Sequence, residues 1–316
     1  MDKNLNLSNP IVSVIMPAFN AEDYIQEAIN SVIAQTYFNW ELIIIDDGST
    51  DSTKNICDSN VTKDKRISYL RKSNGGPGSA RNFGVSYSKS QLLAFLDADD
   101  LWHPMKLEIS LFHFYRLNVD LLFTNTFLFS KTEELLQIDK LATSSVQDIN
   151  LYSGTEAILD FFDGNKVPIL TVLVKKSAIL SVGAFTTNNE FVEDFHLWLK
   201  LLKSGFEFAS ISEPLSFYRN HSQSSSNTDK SISLKVVCAI KDISKGDINL
   251  LKKSKIVISK WLKYCVSHSL NRTNIKEFEK TVEIVEVYGI IFFILFKIQK
   301  YVPINVLKKM FFKALT

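Results

Sequence analysis

The chain has 316 residues, of which 46% are hydrophobic and 22% are charged. This composition is typical of a globular protein and excludes a disordered one, and the length allows one large domain with an appendage. Cys57, Cys238 and Cys265 are widely spaced and form no C-x-x-C pair, so neither a disulfide framework nor a zinc site is indicated. We expect a reducing compartment and a cytoplasmic protein, because residues 1–10 carry no signal-peptide core.

Charge is distributed unevenly along the chain. Residues 229–316 contain 17 Lys and Arg against 7 Asp and Glu, a net charge of +10. Residues 1–228 contain 19 against 27, a net charge of −8. The asymmetry predicts two regions with different partners.

Strands and helices alternate along the first region. Apolar runs predict strands at 12–17, 41–46, 67–70 and 91–96. Apolar residues at helical spacing predict a helix through Ile25 and Ile33 that Asn20 caps, and further helices at 52–59, 80–87 and 104–117. This alternation predicts an α/β fold with a mainly parallel, doubly wound sheet.

Two acidic clusters follow predicted strands. The segment 97–100, Asp-Ala-Asp-Asp, comes directly after the apolar run 92–96, and the segment 46–51, Asp-Asp-Gly-Ser-Thr-Asp, comes after the run 42–45. Ligands of open α/β sheets bind beyond the carboxyl ends of the strands, so both clusters are expected to face one crevice. The alternative is that these residues are ordinary turn and helix-cap residues.

Crowded carboxylates resist ionisation unless a positive charge lies between them, and a divalent cation would supply it. Asp97 and Asp99 are two residues apart, so in an extended segment their side chains point the same way and can face one ion. Mg²⁺ and Mn²⁺ take oxygen ligands from one or two protein groups, water and substrate phosphates. We therefore expect a divalent cation together with a nucleotide diphosphate.

A glycine-rich segment at 74–79 matches neither phosphate-loop nor dinucleotide motifs. It places Arg81 in the predicted first turn of the next helix, where a guanidinium and backbone amides could meet an anion. The alternative is that Arg81 is an exposed surface residue.

An acidic pair, Glu193 and Asp194, opens a predicted helix that runs through Lys203. The helix dipole favours the ionised form of Asp194, and an ionised carboxylate can act as a base. The alternative is that both carboxylates only complement the dipole.

Four motifs in order carry a resemblance to a known family. The segments 12–20 (VSVIMPAFN), 46–51 (DDGSTD), 75–82 (GGPGSARN) and 97–100 (DADD) resemble the successive motifs of family 2 glycosyltransferases, which have the GT-A fold with a mixed, Rossmann-like sheet. The resemblance covers residues 11–226. It implies a catalytic domain at 1–228; residues 229–316 lie outside the resemblance, and we expect them to form a basic helical appendage.

The resemblance also implies roles for particular residues. The donor side would comprise the loop Pro17, Ala18, Phe19 and Asn20 against the base, with Phe19 where relatives more often have Tyr, together with Asp47, Arg81, Asp97, Ala98 and Asp99. Asp47 would accept a hydrogen bond from the base, commonly uracil. Asp99 would bind Mn²⁺ or Mg²⁺, and His221 would approach the diphosphate or the metal. Asp194 would be the catalytic base.

The activity implied is an inverting sugar transfer of hexosyltransferase type. The donor would be a nucleotide diphosphate sugar, with UDP-sugar favoured, and the acceptor a hydroxyl of a glycan or lipid-linked glycan in surface polysaccharide biosynthesis. Nucleic acid is not expected as a partner. A nucleotidyltransferase and a non-catalytic nucleotide-sugar binding module are the alternatives; residues 17–23 lack the basic glycine-rich loop of the former.

The basic region is predicted to be helical at 232–243, 249–269 and 275–299, with a short last helix after Pro303. The apolar run 288–296 would extend only ~14 Å as a helix against about 30 Å of bilayer hydrocarbon, so spanning is not expected. Together with Lys308, Lys309 and Lys313 it fits an interfacial anchor on an anionic membrane, on the inner face of the cell membrane. The alternative is a helical cap packed on the catalytic domain.

Overall fold

The computed structural model describes residues 12–135, 148–222 and 232–269. The strands of these ranges are β1 (Val12–Ala18), β2 (Trp40–Asp46), β3 (Ile67–Arg71), β4 (Leu92–Phe95), β5 (Leu101–Trp102), β6 (Leu121–Phe129), β7 (Ile149–Tyr152), β8 (Val172–Lys175) and β9 (Phe208–Arg219). The helices are α1 (Ile25–Ile33), α2 (Thr53–Lys63), α3 (Pro77–Tyr87), α4 (Lys106–Leu117), α5 (Gly154–Phe162), α6 (Lys176–Ser181), α7 (Glu193–Lys203), α8 (Ile232–Ser244) and α9 (Ile248–Ser269).

The strands form one mixed sheet in the order β3-β2-β1-β4-β8-β6-β9-β5, and β7 pairs with the first four residues of β9. Strand β1 pairs in parallel with β2 and β4, and β2 pairs in parallel with β3, as the alternation predicts. Beyond β4 the sheet is mixed and the prediction of a mainly parallel sheet needs correction: β8 runs antiparallel to both β4 and β6, and β9 is antiparallel to β5 and β7 but parallel to β6. The mixed sheet is the one that the family resemblance implies.

Helices cover both faces of the sheet. Val14 and Met16 of β1 pack into a core with α1, α2 and α4, whereas Ile15 packs into the opposite core, which α5, α7 and α8 share. Successive residues of a strand point to opposite faces, so a strand buried on both faces is a continuous apolar run. The carboxyl ends of β1, β2 and β4 meet at one edge, where both acidic clusters lie.

Three local expectations are wrong. Asn20 does not cap α1, which begins at Ile25; Asn20 has a φ of 47° and accepts a hydrogen bond from the Thr50 amide instead. The helix α3 begins at Pro77, so Arg81 lies in its second turn. Residues 97–100 form a turn closed by the Asp100 amide on the Asp97 carbonyl, so Asp97 and Asp99 are not in an extended segment.

The helices α8 and α9 pack against the rest of the fold. Val237 and Ile240 of α8 share a core with Phe195 and Trp198 of α7, and the Trp261 indole of α9 donates to the Phe162 carbonyl at the end of α5. For residues 232–269 the structure thus matches the alternative of a packed helical cap. Within the described ranges no helix is long and apolar enough to cross a membrane. The predicted helix 275–299, the apolar run 288–296 and the lysines 308, 309 and 313 lie outside the described residues.

Gly84 lets α3 pack closely on β1 and β2. A Cβ atom on Gly84 would lie 2.6 Å from Cγ2 of Ile15 and 3.3 Å from Cγ1 of Ile45, both of them core side chains. We expect Gly84→Ala to lower the free energy of unfolding by about 1–3 kcal/mol through overpacking, although alanine gains about 1 kcal/mol in helix propensity. Urea denaturation measures the difference.

The control is Ser86→Ala, an exposed position two residues further along α3. It should change the free energy of unfolding by less than about 0.5 kcal/mol. Equal effects of the two substitutions would contradict the close approach at Gly84.

Candidate active site

The loops that follow β1 and β2 are tied together. The Asp47 amide donates to the Ala18 carbonyl at 2.8 Å, and the Asn20 amide donates to Ser49 Oγ at 2.9 Å. Pro17 is half-buried and Ala18 is buried, whereas the Phe19 side chain is 52% exposed at the rim. The predicted donor loop therefore presents one aromatic ring on a rigid backbone.

Asp47 organises the glycine-rich loop. Its carboxylate accepts hydrogen bonds from the amides of Gly75 at 3.0 Å and Gly76 at 2.7 Å and from Lys72 Nζ at 2.6 Å. Gly76 has a φ of +82°, a conformation that side chains disfavour. The anion that these backbone amides bind is thus the Asp47 carboxylate. The predicted hydrogen bond between Asp47 and the nucleotide base stays a prediction.

The other carboxylates of the segment 46–51 are bonded by the protein. Asp46 accepts from the Ser49 amide at 2.7 Å, and Asp51 accepts from the amides of Glu22 and Thr53. Burial opposes their ionisation, but the hydrogen bonds outweigh it and lower the pKa of both below the ordinary carboxyl value. For Asp46 and Asp51 the turn-and-cap alternative is correct, and these two carboxylates need no cation.

The turn 97–100 is fixed to the last strand. The Arg219 amide donates to Asp100 Oδ1 and its Nε donates to the Asp99 carbonyl, each at 2.8 Å, while Nη2 reaches Glu27 of α1 at 2.6 Å. Burial and the charge of Asp99 raise the pKa of Asp97 and, much more strongly, that of Asp100. Ala98 is buried beneath the turn. The turn thus gathers three carboxyl groups on a rigid backbone, and burial opposes the ionisation of two of them.

The side chain of His221 contacts Asp99 of this turn. His221 Nε2 is 3.0 Å from Asp99 Oδ2, and the imidazole packs on the Tyr24 ring at 4.8 Å between centroids. The described residues hold no group of three or more His, Cys, Asp or Glu arranged for a metal ion. One carboxylate and one imidazole fit Mn²⁺ or Mg²⁺ when water and substrate phosphates supply the other ligands, and Asp100 Oδ2, buried without a hydrogen bond, adds to the local demand for positive charge.

Arg81 is buried between two carboxylates. Its Nη2 lies 2.7 Å from Asp97 Oδ1 and its Nη1 lies 2.7 Å from Glu193 Oε1. The exposed-surface alternative is therefore wrong. Both terminal nitrogens meet protein carboxylates, and the predicted contact of Arg81 with a nucleotide sugar stays a prediction.

Asp194 lies in the first turn of α7 with both oxygens held. Oδ1 accepts from the Phe195 amide at 2.6 Å, and Oδ2 accepts from Asn165 Nδ2 at 2.9 Å. Burial, followed by the charge of Glu193, raises the pKa of Asp194 to about 7. The expectation that the helix dipole keeps Asp194 ionised misses this effect, because burial dominates and its charge changes near neutral pH.

Residues 13–171 match the family description "Glycosyl transferase family 2". The chain belongs to this family. The matched range includes β1, the glycine-rich loop and the turn 97–100, so the resemblance stated from the motifs is confirmed, and with it the assignment as a glycosyltransferase.

Bacterial glycosyltransferases are similar to this one in sequence. It is 30% identical over 266 residues to an uncharacterized glycosyltransferase of Rickettsia prowazekii, covering 81% of this chain and 77% of the relative. It is 32% identical over 209 residues to one of Rickettsia typhi, covering 63% of this chain and only 60% of that protein. It is 30% identical over 195 residues, 61% of this chain and 70% of the relative, to the Escherichia coli enzyme WfgD, named UDP-Glc:alpha-D-GlcNAc-diphosphoundecaprenol beta-1,3-glucosyltransferase.

Two solved structures share the fold. Staphylococcus aureus TarS 1–349 in complex with UDP-GlcNAc superposes with a TM-score of 0.67 at 16% identity and covers 96% of this chain and 89% of that one. The mannosyltransferase PcManGT of Pyrobaculum calidifontis, in complex with GDP-Man and Mn²⁺, gives a TM-score of 0.59 at 14% identity, over 97% and 86% of the two chains. The GT-A fold of this glycosyltransferase is thereby confirmed.

Several site residues of this glycosyltransferase have no local sequence signal. Nothing in the sequence around Glu193 shows that Arg81, 112 residues earlier, pairs with it. Asn165 lies in the segment 129–168, which contains no decodable pattern, and Lys72 lies outside every motif. Arg219 lies two residues before His221, and nothing in the local sequence indicates its contacts with Asp99 and Asp100.

Substitution of Arg81 should be costly. Arg81→Met leaves Asp97 and Glu193 without their cation, and loss of one partner of a buried ion pair costs several kcal/mol. Since both carboxylates are about a quarter exposed, we expect the lower end, about 2–3 kcal/mol in the free energy of unfolding by urea denaturation.

The control is Lys54→Met, which breaks the exposed pair of Lys54 with Asp58 on α2 and should cost less than about 1 kcal/mol. Adding Glu193→Gln to Arg81→Met should restore part of the loss. No recovery in the double variant would show that Arg81 acts through packing alone.

Proposed function

We propose that this glycosyltransferase transfers a sugar, with inversion, from a UDP-sugar to a hydroxyl of a glycan or lipid-linked acceptor. The observation that carries the proposal is Asp194, a half-buried carboxylate with a pKa of about 7. It follows Glu193, which Arg81 links to Asp97 of the turn 97–100. A group that titrates near the working pH is suited to general base catalysis. Names of the relatives support the choice of donor and acceptor: WfgD is named for UDP-Glc and a diphosphoundecaprenol acceptor, and TarS was solved with UDP-GlcNAc.

The donor side comprises Pro17 to Asn20, Asp47, Arg81 and Asp97 to Asp99. The exposed Phe19 ring offers a face on which a base can stack, and its lack of the tyrosine hydroxyl removes one hydrogen bond. Asp47 holds the loop 75–76 through the amides of Gly75 and Gly76. Arg81 acts on the donor through Asp97, whose orientation it sets.

Asp99 and His221 are the residues that would hold a divalent cation, Mn²⁺ or Mg²⁺. Such a cation, when bound, neutralises the charge that develops on the departing diphosphate. The charge crowded on the turn 97–100 and the Mn²⁺ in the mannosyltransferase structure support this assignment. The donor phosphates and water would supply the other ligands of the cation.

In the proposed reaction the acceptor oxygen forms a bond to the anomeric carbon while the bond from that carbon to the diphosphate oxygen breaks. Asp194 takes the acceptor proton, and the nucleoside diphosphate leaves with the bonding electrons. Attack opposite the leaving group inverts the anomeric centre, and no covalent enzyme intermediate forms. Asn165 and the Phe195 amide fix the carboxylate, and Arg81 engages Glu193, so the two neighbouring acids have separate tasks.

The biological setting is proposed as surface polysaccharide biosynthesis in the cytoplasm, at the inner face of the cell membrane. Residues 1–228 are proposed as the catalytic domain and residues 229–316 as a basic helical region that meets the membrane. The transferred sugar is proposed to be a hexose, as for the glucosyl group named for WfgD. Nucleic acid is not proposed as a partner.

The donor and the cation can be tested together. We expect slow hydrolysis of UDP-hexoses in preference to GDP-sugars, lost on chelation and restored by Mn²⁺ or Mg²⁺, in an assay that measures nucleotide release from a panel of nucleotide sugars. Asp99→Asn should lower this rate about a hundredfold or more, because it removes a hard anionic ligand.

The matched control is Asp58→Asn, an exposed carboxylate on α2 that should leave the rate unchanged. A rate that is insensitive to chelation and to Asp99→Asn would contradict the cation site. Release from GDP-sugars alone would contradict the choice of UDP.

The base is tested by its charge. Asp194→Asn should lower turnover by roughly 10² to 10⁴ with donor affinity nearly unchanged, since a positioned general base contributes that much. Ionised Asp194 is the active form, so turnover of the native enzyme should fall as the pH drops through about 7. Rate measurements against pH and donor titrations give both quantities.

Asn165→Ala removes a hydrogen bond that lowers the pKa of Asp194, so it should move the acidic limb of the profile to higher pH. Asp160→Asn, on the exposed side of α5, serves as the control with an unchanged profile. Loss of donor binding in Asp194→Asn would place Asp194 in the donor site instead.

A further inference from the structure

The last described helix, α9, is unusually basic. Its 22 residues include Lys252, Lys253, Lys255, Lys260 and Lys263 and contain neither Asp nor Glu. At 1.5 Å per residue the helix is about 33 Å long. It contrasts with residues 1–228, whose net charge is −8.

The two sides of α9 differ. Leu250 and Ser254 are buried against the fold, and the Trp261 indole bonds to the Phe162 carbonyl at 3.0 Å, which defines the inner side. On the outer side Ile248 is 70% exposed and Ile256 is 78% exposed. Lys252 lies between them at helical spacing and is exposed as well.

One contact of α9 lies close in the chain to a partner of the proposed base. The helix packs on α8 and α5. The Trp261 indole of α9 donates to the Phe162 carbonyl, and Phe162 lies three residues before Asn165, whose side chain contacts Asp194 at the beginning of α7. The contacts of α9 therefore reach the part of the fold that carries Asp194.

We propose that the outer side of α9, formed by Ile248, Leu251, Lys252, Lys253, Lys255 and Ile256, docks on an anionic membrane surface. Exposed aliphatic side chains beside lysines, with no acidic residue on the helix, match the chemistry of the lipid interface, where apolar side chains enter the acyl boundary and lysines meet the headgroups. A nucleic acid would satisfy the lysines and leave Ile248 and Ile256 in water. This inference rests on the proposed lipid-linked acceptor for its purpose.

The charge asymmetry would orient the enzyme. An anionic surface attracts α9 and repels the acidic part of the chain, so the molecule settles with α9 toward the lipid. Because Trp261 is bonded to Phe162, three residues before Asn165, docking through α9 would bring the part of the fold that carries Asp194 toward the surface from which a lipid-linked acceptor emerges. The basic α9 and the acidic residues 1–228 therefore both favour one orientation of the enzyme on the membrane, with α9 toward the lipid.

The test uses the full chain and co-sedimentation with phosphatidylcholine vesicles that contain or lack phosphatidylglycerol, at low and high salt. We expect binding to the anionic vesicles only, weakened by salt. Lys252→Gln with Lys253→Gln should lower the partition coefficient about 25-fold, because each lysine near the surface contributes about fivefold. Ile256→Ser should lower it about tenfold or more through the lost apolar insertion.

The matched control replaces two exposed lysines of α2, Lys54→Gln with Lys63→Gln, and should bind vesicles as the native chain does. Far-UV circular dichroism and thermal melts should coincide for all variants, because the altered positions are exposed. Equal binding of native and α9 variants, or equal binding to neutral vesicles, overturns the proposal. So does displacement from vesicles by DNA combined with an unchanged affinity of Ile256→Ser.

Nucleotide release from the UDP-sugar is measured on the same preparations and should be the same for native chain and α9 variants. Absence of release from the native chain would overturn the proposed function and leave the vesicle result to decide the docking surface. Normal release with no vesicle binding would overturn the docking surface alone.

Discussion

The buried guanidinium of Arg81 between Asp97 and Glu193 is the interaction on which the arrangement of the site depends. It joins three elements that are distant in sequence: α3, the turn after β4 and the first residue of α7. Without this cation the two carboxylates would repel each other across the crevice, and the turn and the helix would separate. This ion-pair bridge therefore contributes to the distance between the proposed donor side and Asp194.

The acidic residues of the site fall into two kinds. Asp46, Asp47 and Asp51 are bonded by backbone amides and side chains of neighbouring loops, so they shape the donor side, and the hydrogen bonds lower the pKa of Asp46 and Asp51. Asp99 and Asp194 retain oxygens that can meet a substrate group, and burial makes Asp194 costly to ionise. The hydrogen-bond partners of an aspartate thus decide whether it stabilises a loop or is suited to chemistry.

The helices beyond the matched family range also support the site. His196 Nε2 lies 3.0 Å from Asp242 of α8, and its ring stacks on Phe191 at 4.3 Å between centroids, just before the start of α7. Since α7 begins with Glu193 and Asp194, α8 holds the helix that positions both. The C-terminal helices therefore contribute to the rigidity of the base as well as to the surface of the protein.

The sequence by itself determined the strands β1 to β4, the helix that begins at the acidic pair, the family and the edge at which the acidic clusters meet, because apolar periodicity and the motifs are local patterns. Only the tertiary structure decided that β8 enters the sheet antiparallel, that the Asp47 carboxylate closes the glycine-rich loop and that Arg81 pairs with Glu193. The same holds for the pKa of Asp194, which the local dipole argument placed low and burial raises. Burial and partner choice depend on contacts between residues far apart in the chain, and no local pattern encodes them.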